Sequence, residues 1–443
     1  MPALDSLFYL DNLSMVMGGL ILFVVSSVAL FSARYLEGDS GKGIFFKYLF
    51  LLAGSTILLA VTDHLPLFVL LWGTSNMLLA KLMVPKPQWA ASRESGKLAA
   101  KNATLSVSAL AVAAGFLCIQ MESTSIQEII HHKNPSFWTT LSLFFLLISA
   151  MTQSALLPFH RWLMSSLNAP TPVSAVMHAG LVNGGGFLLA RFSPLYSDNS
   201  VFLQGVFVAG LVTAIFGTAW KLMQSDVKSM LACSTVGQMG FMIMQCGLGL
   251  FPAAVAHLVF HGLFKAYLFL SSGSMAQESR LSLDYPPRVL VFSLALFCGL
   301  CGAFSFSFAS QTDLMQGDTQ LFLVGMSFIA GTQFAITTLA KDPLKRLPLT
   351  LVAVLLLGFL YGLSMQAFET FLLFSHAPQP LSMTSLVSFI ILFVAWGAVL
   401  LLQHERENPS TPQWGQRLYV WLLNATQPHP KTMTSYRNHY RYM

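Results

Sequence analysis

Three titratable side chains follow one another at four-residue intervals within a long apolar stretch, PAAVAHLVFHGLFKAYLFLSSGSMA. They are His257, His261 and Lys265. Residues spaced by four lie along one face of an α-helix. Burying an ionisable group at the centre of a bilayer costs about 2.5 to 3.5 kcal/mol on insertion scales. We therefore interpret the row as part of a path for protons or other cations. The alternative is two neutral, hydrogen-bonded core histidines and a lysine that extends to the membrane surface.

The composition indicates what surrounds this row. Hydrophobic residues make up 55% of the 443 residues, and charged residues only 9%. Because so little polar surface cannot cover a soluble body of this size, we predict an all-α polytopic membrane protein. The N-terminal residues carry two aspartates and no basic residue, which argues against a cleaved signal peptide. The five cysteines lie in apolar runs, so neither a disulfide framework nor a metal cluster is predicted.

Thirteen apolar segments have the length needed to cross a bilayer. Their approximate ranges are 13–33, 44–62, 65–84, 100–120, 136–157, 171–193, 201–222, 229–250, 252–276, 288–309, 320–341, 346–367 and 383–403. With the N-terminus outside, the outer loops keep only Lys133 and, near a helix end, Arg191, while the other basic residues collect on the inner side. The positive-inside rule then predicts an outside N-terminus and a cytoplasmic C-terminus.

Two interruptions in this pattern indicate an internal repeat. The fifth segment ends at Pro158, and Pro170 and Pro172 interrupt the helix that would follow. A polar stretch, FSFSFASQTDLMQGD, interrupts the tenth segment. Broken helices at corresponding positions, roughly five segments apart, are typical of inverted repeats. The predicted divisions are an N-terminal helix at 1–43, repeats at 44–193 and 201–341, C-terminal helices at 346–403 and a cytoplasmic tail at 404–443.

Two further residues are candidates for the path, each with a structural alternative. His178 lies just beyond the proline-rich break and before the NGGG run at residues 183–186. A hydrated pocket between segments five, six and nine is therefore expected, although a satisfied core histidine is an equal alternative. Asp63 precedes the third segment across a short outer turn, where it is either a carboxylate of the path or a helix cap.

Lys228 is the remaining candidate, at the inner end of the eighth segment. The polar residues Ser234, Thr235 and Gln238 follow it along the same predicted helix. This arrangement suits an entry path from the cytoplasm. The alternative is that Lys228 anchors the helix at the membrane surface.

The tail beyond the thirteenth segment is basic and aromatic. Its RLYVWLL stretch predicts a short amphipathic helix at the membrane surface. Arg and Tyr are favoured in protein interfaces, and no nucleic-acid-binding motif precedes the tail. We therefore predict that it docks a protein partner and binds no nucleic acid. The residues assigned to docking are Trp414, Arg417, Tyr419, Tyr436, Arg437, Tyr440 and Arg441.

Three stretches carry a resemblance to a known family. SALLPFHRWLMSSLNAPTPVSAVMHAG, SDVKSMLACSTVGQMGFM and AHLVFHGLFKAYLFLSSGS resemble the antiporter-like membrane subunits of respiratory complex I and of Mrp-type cation/proton antiporters. The likeness covers most of residues 8–340, and its PTPVSA and HxxxHxxxK motifs are specific to that superfamily. The resemblance implies an antiporter-like fold with broken helices and inverted repeats. The two motifs do not choose a branch of the superfamily.

Three departures from the family pattern narrow the resemblance. Gly73 stands where the family usually has a glutamate, Gln153 where it has a lysine, and Gln311 at or near a further lysine. The Glu–Lys couple that adjusts the lysine pKa in full pumps is therefore missing. The resemblance implies that such pumps link two ion half-paths through charged residues in both repeats, so the departures indicate that only one half-path remains here. With its compact length and its C-terminal tail, the chain resembles the DabB family, the membrane subunits of inorganic-carbon accumulation complexes.

The DabB resemblance implies a two-subunit transporter of the bacterial inner (plasma) membrane. In that family the partner is DabA, a large cytoplasmic subunit with a zinc site like that of β-carbonic anhydrases, so zinc is expected in the partner and no cofactor in this chain. Influx of protons or sodium ions would drive one-way conversion of CO2 to bicarbonate, and this chain is expected to have no catalytic site of its own. The alternatives are a proton-translocating subunit of a complex I type oxidoreductase or Mrp antiporter, and a purely structural anchor.

Overall fold

The computed structural model describes residues 7–131, 136–273, 287–374, 379–405 and 413–433. Within these ranges the chain forms seventeen α-helices and only isolated β-bridges. The helices are α1 (Asn12–Tyr35), α2 (Lys42–Val61), α3 (Leu65–Leu82), α4 (Ala90–Met121), α5 (Ile126–His131), α6 (Phe137–Gln153), α7 (Arg161–Met164), α8 (Thr171–Ala179), α9 (Gly184–Arg191), α10 (Ser200–Met223), α11 (Val227–Gly247), α12 (Phe251–Leu270), α13 (Val289–Ser310), α14 (Leu321–Leu339), α15 (Pro343–Leu372), α16 (Met383–Glu405) and α17 (Gln413–Ala425).

Each of the thirteen predicted segments coincides with a helix, or in the sixth case with the pair α8 and α9. Ten of these crossings in the described part of the chain are long and apolar enough to span a bilayer, counting Thr171–Arg191 as one. The remaining three segments are α6, α11 and α16. The prediction of an all-α polytopic membrane protein is therefore confirmed, and the chain is a multi-pass membrane protein.

The chain divides into two compact units. The first contains Met1–Gly247, His257–Ala276 and Trp421–Met443, and the second contains Leu248–Ala256 and Gln277–Val420. This division reflects where contacts are dense and does not report internal symmetry. The predicted repeats at 44–193 and 201–341 therefore stay a prediction, as do the boundaries of the terminal regions.

Glycines bring α10 and α11 of the first unit into backbone contact. A Cβ atom on Gly217 would lie 2.3 Å from the main-chain nitrogen of Gly237. A Cβ atom on Gly240 would lie 2.4 Å from the main-chain nitrogen of Ala214. Small residues permit this close approach of membrane helices, where apolar area alone gives no preference for protein over lipid. The contact fixes α11, which carries Lys228 and Thr235, against its neighbour.

The sixth predicted segment is broken in the middle. α8 begins beside Pro172, whose fixed φ suits a first helical turn, and ends at Ala179. Gly180 then leaves the helical conformation, and a single 3-10 turn leads into α9. Side chains at the end of α6 compensate the freed carbonyls: Gln153 Nε2 donates to Leu181 O at 2.9 Å, and Ser154 Oγ donates to Val182 O at 2.7 Å.

The polar stretch of the tenth segment has a different position from the one expected. α13 runs without interruption to Ser310, and Gln311 ends it with a left-handed φ of 57°. Residues 311–320 then connect α13 to α14. Because Ser307 Oγ donates to Thr312 O at 3.0 Å, the polar residues close the helix end. The stretch is therefore a helix end with its connection and supplies no second break inside a helix.

Candidate functional site

The predicted row lies along the inward face of α12. His261 and Lys265 are buried, Lys265 with only 1% of its surface exposed, whereas Phe264 between them is exposed. The rings of His257 and His261 are nearly parallel, with centroids 6.0 Å apart. Eight residues of helix separate His257 from Lys265, so the row extends over about 12 Å.

A continuous chain of hydrogen bonds joins Lys265 to His178. The Lys265 ammonium donates to the main-chain carbonyl of Leu231 at 3.0 Å, and the hydroxyl of Thr235 donates to the same carbonyl at 3.0 Å. The hydroxyl lies 3.0 Å from Nδ1 of His178. A hydroxyl has one proton, and this one is directed to Leu231, so the hydroxyl accepts a hydrogen bond from the Nδ1–H of His178. We name this set the Lys265–His178 chain.

α12 approaches the broken helix closely enough to complete this chain. The ring of His178 stacks on Phe269 of α12, with centroids 4.5 Å apart. A Cβ atom on Gly262 of α12 would lie only 2.8 Å from the carbonyl oxygen of Ala179, at the break. The structure thus brings together the predicted residues His178 and Lys265, with α11 between them.

Three side chains along this site have buried polar atoms without a hydrogen-bond partner in the described part of the chain. They are Nε2 of His257, Nε2 of His261, and both amide atoms of Gln245. Gln245 is completely buried and lies one turn beyond Phe241, whose ring contacts His257 with centroids 5.2 Å apart. The sequence reasoning missed Gln245; the only signal was one amide within an apolar run.

Lys228 has main-chain partners at the beginning of α11. Its ammonium donates to Ala169 O at 3.0 Å and lies 3.4 Å from Leu167 O, both in the connection between α7 and α8. The neighbouring Asp226 caps α11 by accepting a hydrogen bond from the backbone of Ser229 at 2.8 Å. Lys228 and Thr235 are separated by seven residues, or about 10 Å of helix.

The polar run predicted to follow Lys228 is only partly directed inward. Thr235 is buried in the Lys265–His178 chain, Ser234 is half-buried, and Gln238 is exposed. Around the helix axis the three side chains spread over roughly 100°, so one edge of the run reaches the buried side of α11 and the rest does not. Of the run, Thr235 is the residue at the site.

Asp63 makes the contacts of a helix cap. Its Oδ1 accepts a hydrogen bond from the backbone of Gln127 at 2.8 Å, and its Oδ2 accepts one from Ser125 Oγ at 2.6 Å. Both partners lie at the beginning of α5. These contacts are those of the capping alternative considered for Asp63.

The cavity beside the break is not where the predicted pocket was expected. It has a volume of about 70 Å³ and lies between α1, α2, α3, the end of α6 and the broken helix, with Trp72, Asn76 and Gln153 in its lining. The prediction placed a pocket between segments five, six and nine. α12 contributes no lining residue to this cavity; its Gly262 lies directly against the carbonyl of Ala179.

A buried ion pair that the sequence did not reveal ties three helices together. Arg191 is 7% exposed, and its guanidinium donates to the carboxylate of Asp11, to Ser14 Oγ at 2.9 Å and to Ala60 O at 2.9 Å. Burial alone would raise the pKa of Asp11, but the charge of Arg191 and the hydrogen bonds from Arg191 and Ser14 hold it below its ordinary value. The pair joins α9 to the beginning of α1 and the end of α2.

Three of the seven predicted docking residues lie in the described part of the chain. Trp414, Arg417 and Tyr419 belong to α17, and the side chains of Arg417 and Tyr419 are exposed. Tyr436, Arg437, Tyr440 and Arg441 lie outside the described residues.

The fold and site together define a class: a polytopic helical membrane protein in which a broken helix packs against a helix with buried lysine and histidine side chains. The family described as "NADH:quinone oxidoreductase/Mrp antiporter, TM" matches residues 62–285, and "NADH-Ubiquinone oxidoreductase (complex I), chain 5 N-terminus" matches residues 3–46. The chain therefore belongs to the antiporter-like family of membrane subunits shared by NADH:quinone oxidoreductases and Mrp antiporters.

Individual relatives narrow the similarity within this family. The chain is 32% identical over 394 residues to "Probable inorganic carbon transporter subunit DabB1" of Halothiobacillus neapolitanus, covering 82% of this chain and 70% of the relative. It is 36% identical over 275 residues to "Probable inorganic carbon transporter subunit DabB" of Bacillus anthracis, covering 61% of this chain and 54% of the relative. The predicted resemblance to DabB subunits is confirmed.

A solved structure supports the fold. A chain of the Mrp complex from Dietzia sp. superposes with a TM-score of 0.63 at 22% identity, covering 94% of this chain and 52% of that chain. At this identity the likeness concerns the antiporter-like fold alone.

Proposed function

We propose that this chain is the cation-conducting membrane subunit of an inorganic-carbon accumulation complex. The observation that carries the proposal is the Lys265–His178 chain, in which a buried lysine on α12 is linked through α11 to a buried histidine on the broken helix. A buried, desolvated cation is costly, and such residues within membrane helices mark ion or proton pathways. The names of the two curated relatives support inorganic carbon as the cargo of the complex.

The chemistry of the site favours the proton over the sodium ion. The row of His257, His261 and Lys265, together with His178, offers nitrogen bases, which take up and release protons. A hard cation such as Na+ is instead held by several oxygen ligands. Lys228, at the beginning of α11, is the proposed group at the cytoplasmic end of the path, and a proton that moves inward reaches it from the Lys265–His178 chain.

The partner supplies the carbon chemistry in this proposal. It is a DabA-like cytoplasmic subunit whose zinc site hydrates CO2 to bicarbonate, and it docks on the C-terminal tail in the bacterial inner membrane. This chain contributes the proton route and the docking surface. A membrane potential of about 100 mV supplies roughly 2.3 kcal/mol per charge, which suffices to bias a coupled hydration step by more than tenfold.

The neutral residues at three positions favour influx through a single half-path over pumping. Gly73, Gln153 and Gln311 stand where the resembling family carries charged residues. Gln153 instead donates to the carbonyl of Leu181, so its amide serves to stabilise the broken helix. We propose that protons run down their gradient through this chain and that the chain does not exchange or pump ions.

The test uses vesicles that contain this chain together with whatever subunit copurifies with it from the native host. An imposed inward proton gradient should produce proton influx and bicarbonate formation from CO2, and an uncoupler should abolish bicarbonate accumulation at constant ATP. Ion export driven by CO2 hydration, or bicarbonate formation that is indifferent to the gradient, would overturn the proposal. The variant Lys265→Met should lose influx while an exposed control, Lys221→Ala, retains it.

A second candidate function follows from the family match over residues 62–285. In it, the chain is a proton-translocating subunit of a complex I type oxidoreductase or an Mrp-type Na+/H+ antiporter. Sodium-dependent proton movement in vesicles, or copurification with quinone oxidoreductase subunits, would favour this candidate. Bicarbonate formation that is unchanged in Lys265→Met, with no proton influx through the unsubstituted chain, would instead indicate a purely structural membrane anchor.

A further inference from the structure

The segment that follows α17 folds back onto the first unit. Its residues 425–432, which we name the tail strap, are bound by three side chains of the region between α6 and α8. His160 Nε2 donates to Ala425 O at 3.2 Å, Ser165 Oγ accepts from the backbone of His429 at 3.0 Å, and Asn168 Nδ2 donates to Thr432 O at 2.5 Å.

The tail strap is anchored to this unit by two buried threonines. Thr426 and Thr432 are 2% and 4% exposed, and Gln224 Nε2 donates to Thr426 Oγ1 at 3.2 Å. The short 3-10 turn at Pro430–Thr432 packs on α4. From α4, Ser95 Oγ donates to Ser165 O at 2.7 Å. The strap, α4 and the α7–α8 connection therefore hold one another in place.

The same connection provides both hydrogen-bond acceptors of Lys228. They are the carbonyls of Leu167 and Ala169, the residues on either side of Asn168. The side chain of Asn168 binds the strap at Thr432. Because the carbonyl of Leu167 shares a rigid peptide plane with the main-chain nitrogen of Asn168, a shift of the Asn168 backbone displaces that carbonyl.

We propose that the tail strap positions Lys228 and thereby regulates ion passage: an event at α17 that lifts the strap from the α7–α8 connection changes the carbonyl contacts of the Lys228 ammonium. The inference rests on the proposed function, in which Lys228 is the group at the cytoplasmic end of the path. α17 leads directly into the strap and presents exposed side chains, including Tyr419, to which a partner can bind. The partner would thus act on Lys228 through the strap, without contact with the lysine.

The test compares strap variants with a matched control in the vesicle assay. Asn168→Ala removes a side-chain bond to the strap, and Asn102→Ala removes the corresponding bond from an asparagine to Thr152 O elsewhere in the unit. His160→Phe removes a donor but keeps a ring against Trp220, whereas His160→Gln retains a donor. Asn168→Ala and His160→Phe should change proton influx by roughly two- to tenfold, the range that one hydrogen bond gives.

Non-additivity separates positioning of Lys228 from a general loss of structure. In a Lys228→Gln background, Asn168→Ala should cause no further change in influx. In the otherwise unsubstituted chain, His160→Gln should keep the influx that His160→Phe changes. An equal effect of Asn168→Ala in both backgrounds, or an equal effect of Asn102→Ala, would overturn the inference.

Hydrogen–deuterium exchange provides a readout that does not depend on transport. In the complete chain in lipid nanodiscs, Asn168→Ala should accelerate amide exchange in peptides covering residues 163–170 and 227–231, and Asn102→Ala should not. Unchanged exchange in these peptides would refute the claim that the tail strap holds the α7–α8 connection and Lys228 in place. If the unsubstituted protein conducts no protons while these peptides respond as expected, the proposed function fails and the contact between strap and connection stands.

Discussion

The ammonium of Lys265 donates a hydrogen bond to the main-chain carbonyl of Leu231, 3.0 Å away, in a site where 1% of the lysine surface is exposed. In the described residues no carboxylate lies within ion-pair distance of this ammonium. A main-chain carbonyl offers an acceptor without a formal charge, so it stabilises the charged lysine less than a carboxylate would. A lysine in such a place can exchange its proton more readily than one in a buried ion pair.

The first prediction concerns Lys265. Replacing it with alanine should abolish growth that depends on accumulated inorganic carbon, because the chain then lacks the group that links α12 to Leu231. The complex should still assemble, since the cost of burying a cation disappears with the side chain. Growth at low CO2 and copurification of the partner measure the two outcomes, with Lys221→Ala as the exposed control. Normal growth of Lys265→Ala would contradict the role.

The second prediction concerns the hydroxyl of Thr235. Thr235→Val preserves the side-chain shape but leaves Nδ1 of His178 without its partner, which should cost about 1 to 3 kcal/mol in stability and reduce proton influx. Thr235→Ser keeps the hydroxyl and should retain most of both. Thermal unfolding in detergent and influx in vesicles report the two effects. Equal influx in the Val and Ser variants would show that the hydroxyl has no part in transport.

The sequence predicted the helices well because the signal for them is local. Twenty apolar residues in a row have few alternatives to a membrane helix, since every backbone polar group must find a partner within the segment. The sequence also predicted the break before α8, because Pro170 and Pro172 cannot continue a preceding helix. The sequence did not predict the break at Gly180, because a glycine in an apolar run is also typical of close helix packing.

The sequence predicted the site only where titratable side chains recur on one helix. The spacing of His257, His261 and Lys265 showed their common face, but the acceptor of Lys265 is the main chain of Leu231, which any residue type could provide. Arg191 and Asp11 are 180 positions apart, so no local pattern relates them. Asp63 could be a path residue or a cap, and only the fold around α5 shows which contacts it makes.

The third prediction uses the Arg191–Asp11 ion pair. Asp11→Asn keeps an oxygen for the cap of α1 but removes the charge opposite buried Arg191, so we expect a loss of about 1 to 3 kcal/mol in the free energy of unfolding at neutral pH. Glu37→Gln, at an exposed carboxylate, is the control. Thermal unfolding in detergent measures both. A loss in Asp11→Asn no larger than in Glu37→Gln would contradict the expected importance of the pair.

The pH dependence of this loss follows from the lowered pKa of Asp11. A group whose pKa is lower in the folded state contributes its stability fully above the pKa of the unfolded chain, about 3.9 for aspartate. That contribution disappears as the pH falls through the lower pKa of the folded state. The difference between the unsubstituted protein and Asp11→Asn should therefore be constant above about pH 5 and shrink below pH 4.

The fourth prediction separates the two parts of the tail. Deletion of residues 434–443 removes the predicted docking residues Tyr436, Arg437, Tyr440 and Arg441 but keeps the tail strap. It should weaken binding of the partner to membranes while the amide exchange of residues 163–170 stays unchanged. Deletion of residues 414–443 should release the partner and also accelerate that exchange. Membrane fractionation and exchange report the results, and full retention of the partner after the longer deletion would refute docking by the tail.

The last prediction tests whether α12 must lie directly against the broken helix. A Cβ atom on Gly262 would come 2.8 Å from the carbonyl oxygen of Ala179 and 3.2 Å from Leu20, so Gly262→Ala must push α12 away from the break. We expect a loss of about 1 to 3 kcal/mol in stability, as overpacking of a tight interior causes, together with reduced proton influx. Gly115→Ala, in an open position of α4, should instead be neutral or slightly stabilising, because alanine favours the helix. Since stacking of His178 on Phe269 depends on the same approach, influx should fall by more than stability alone explains. Influx equal to that of Gly115→Ala, measured at matched amounts of folded protein in vesicles, would show that transport does not require the close contact of α12 with the break.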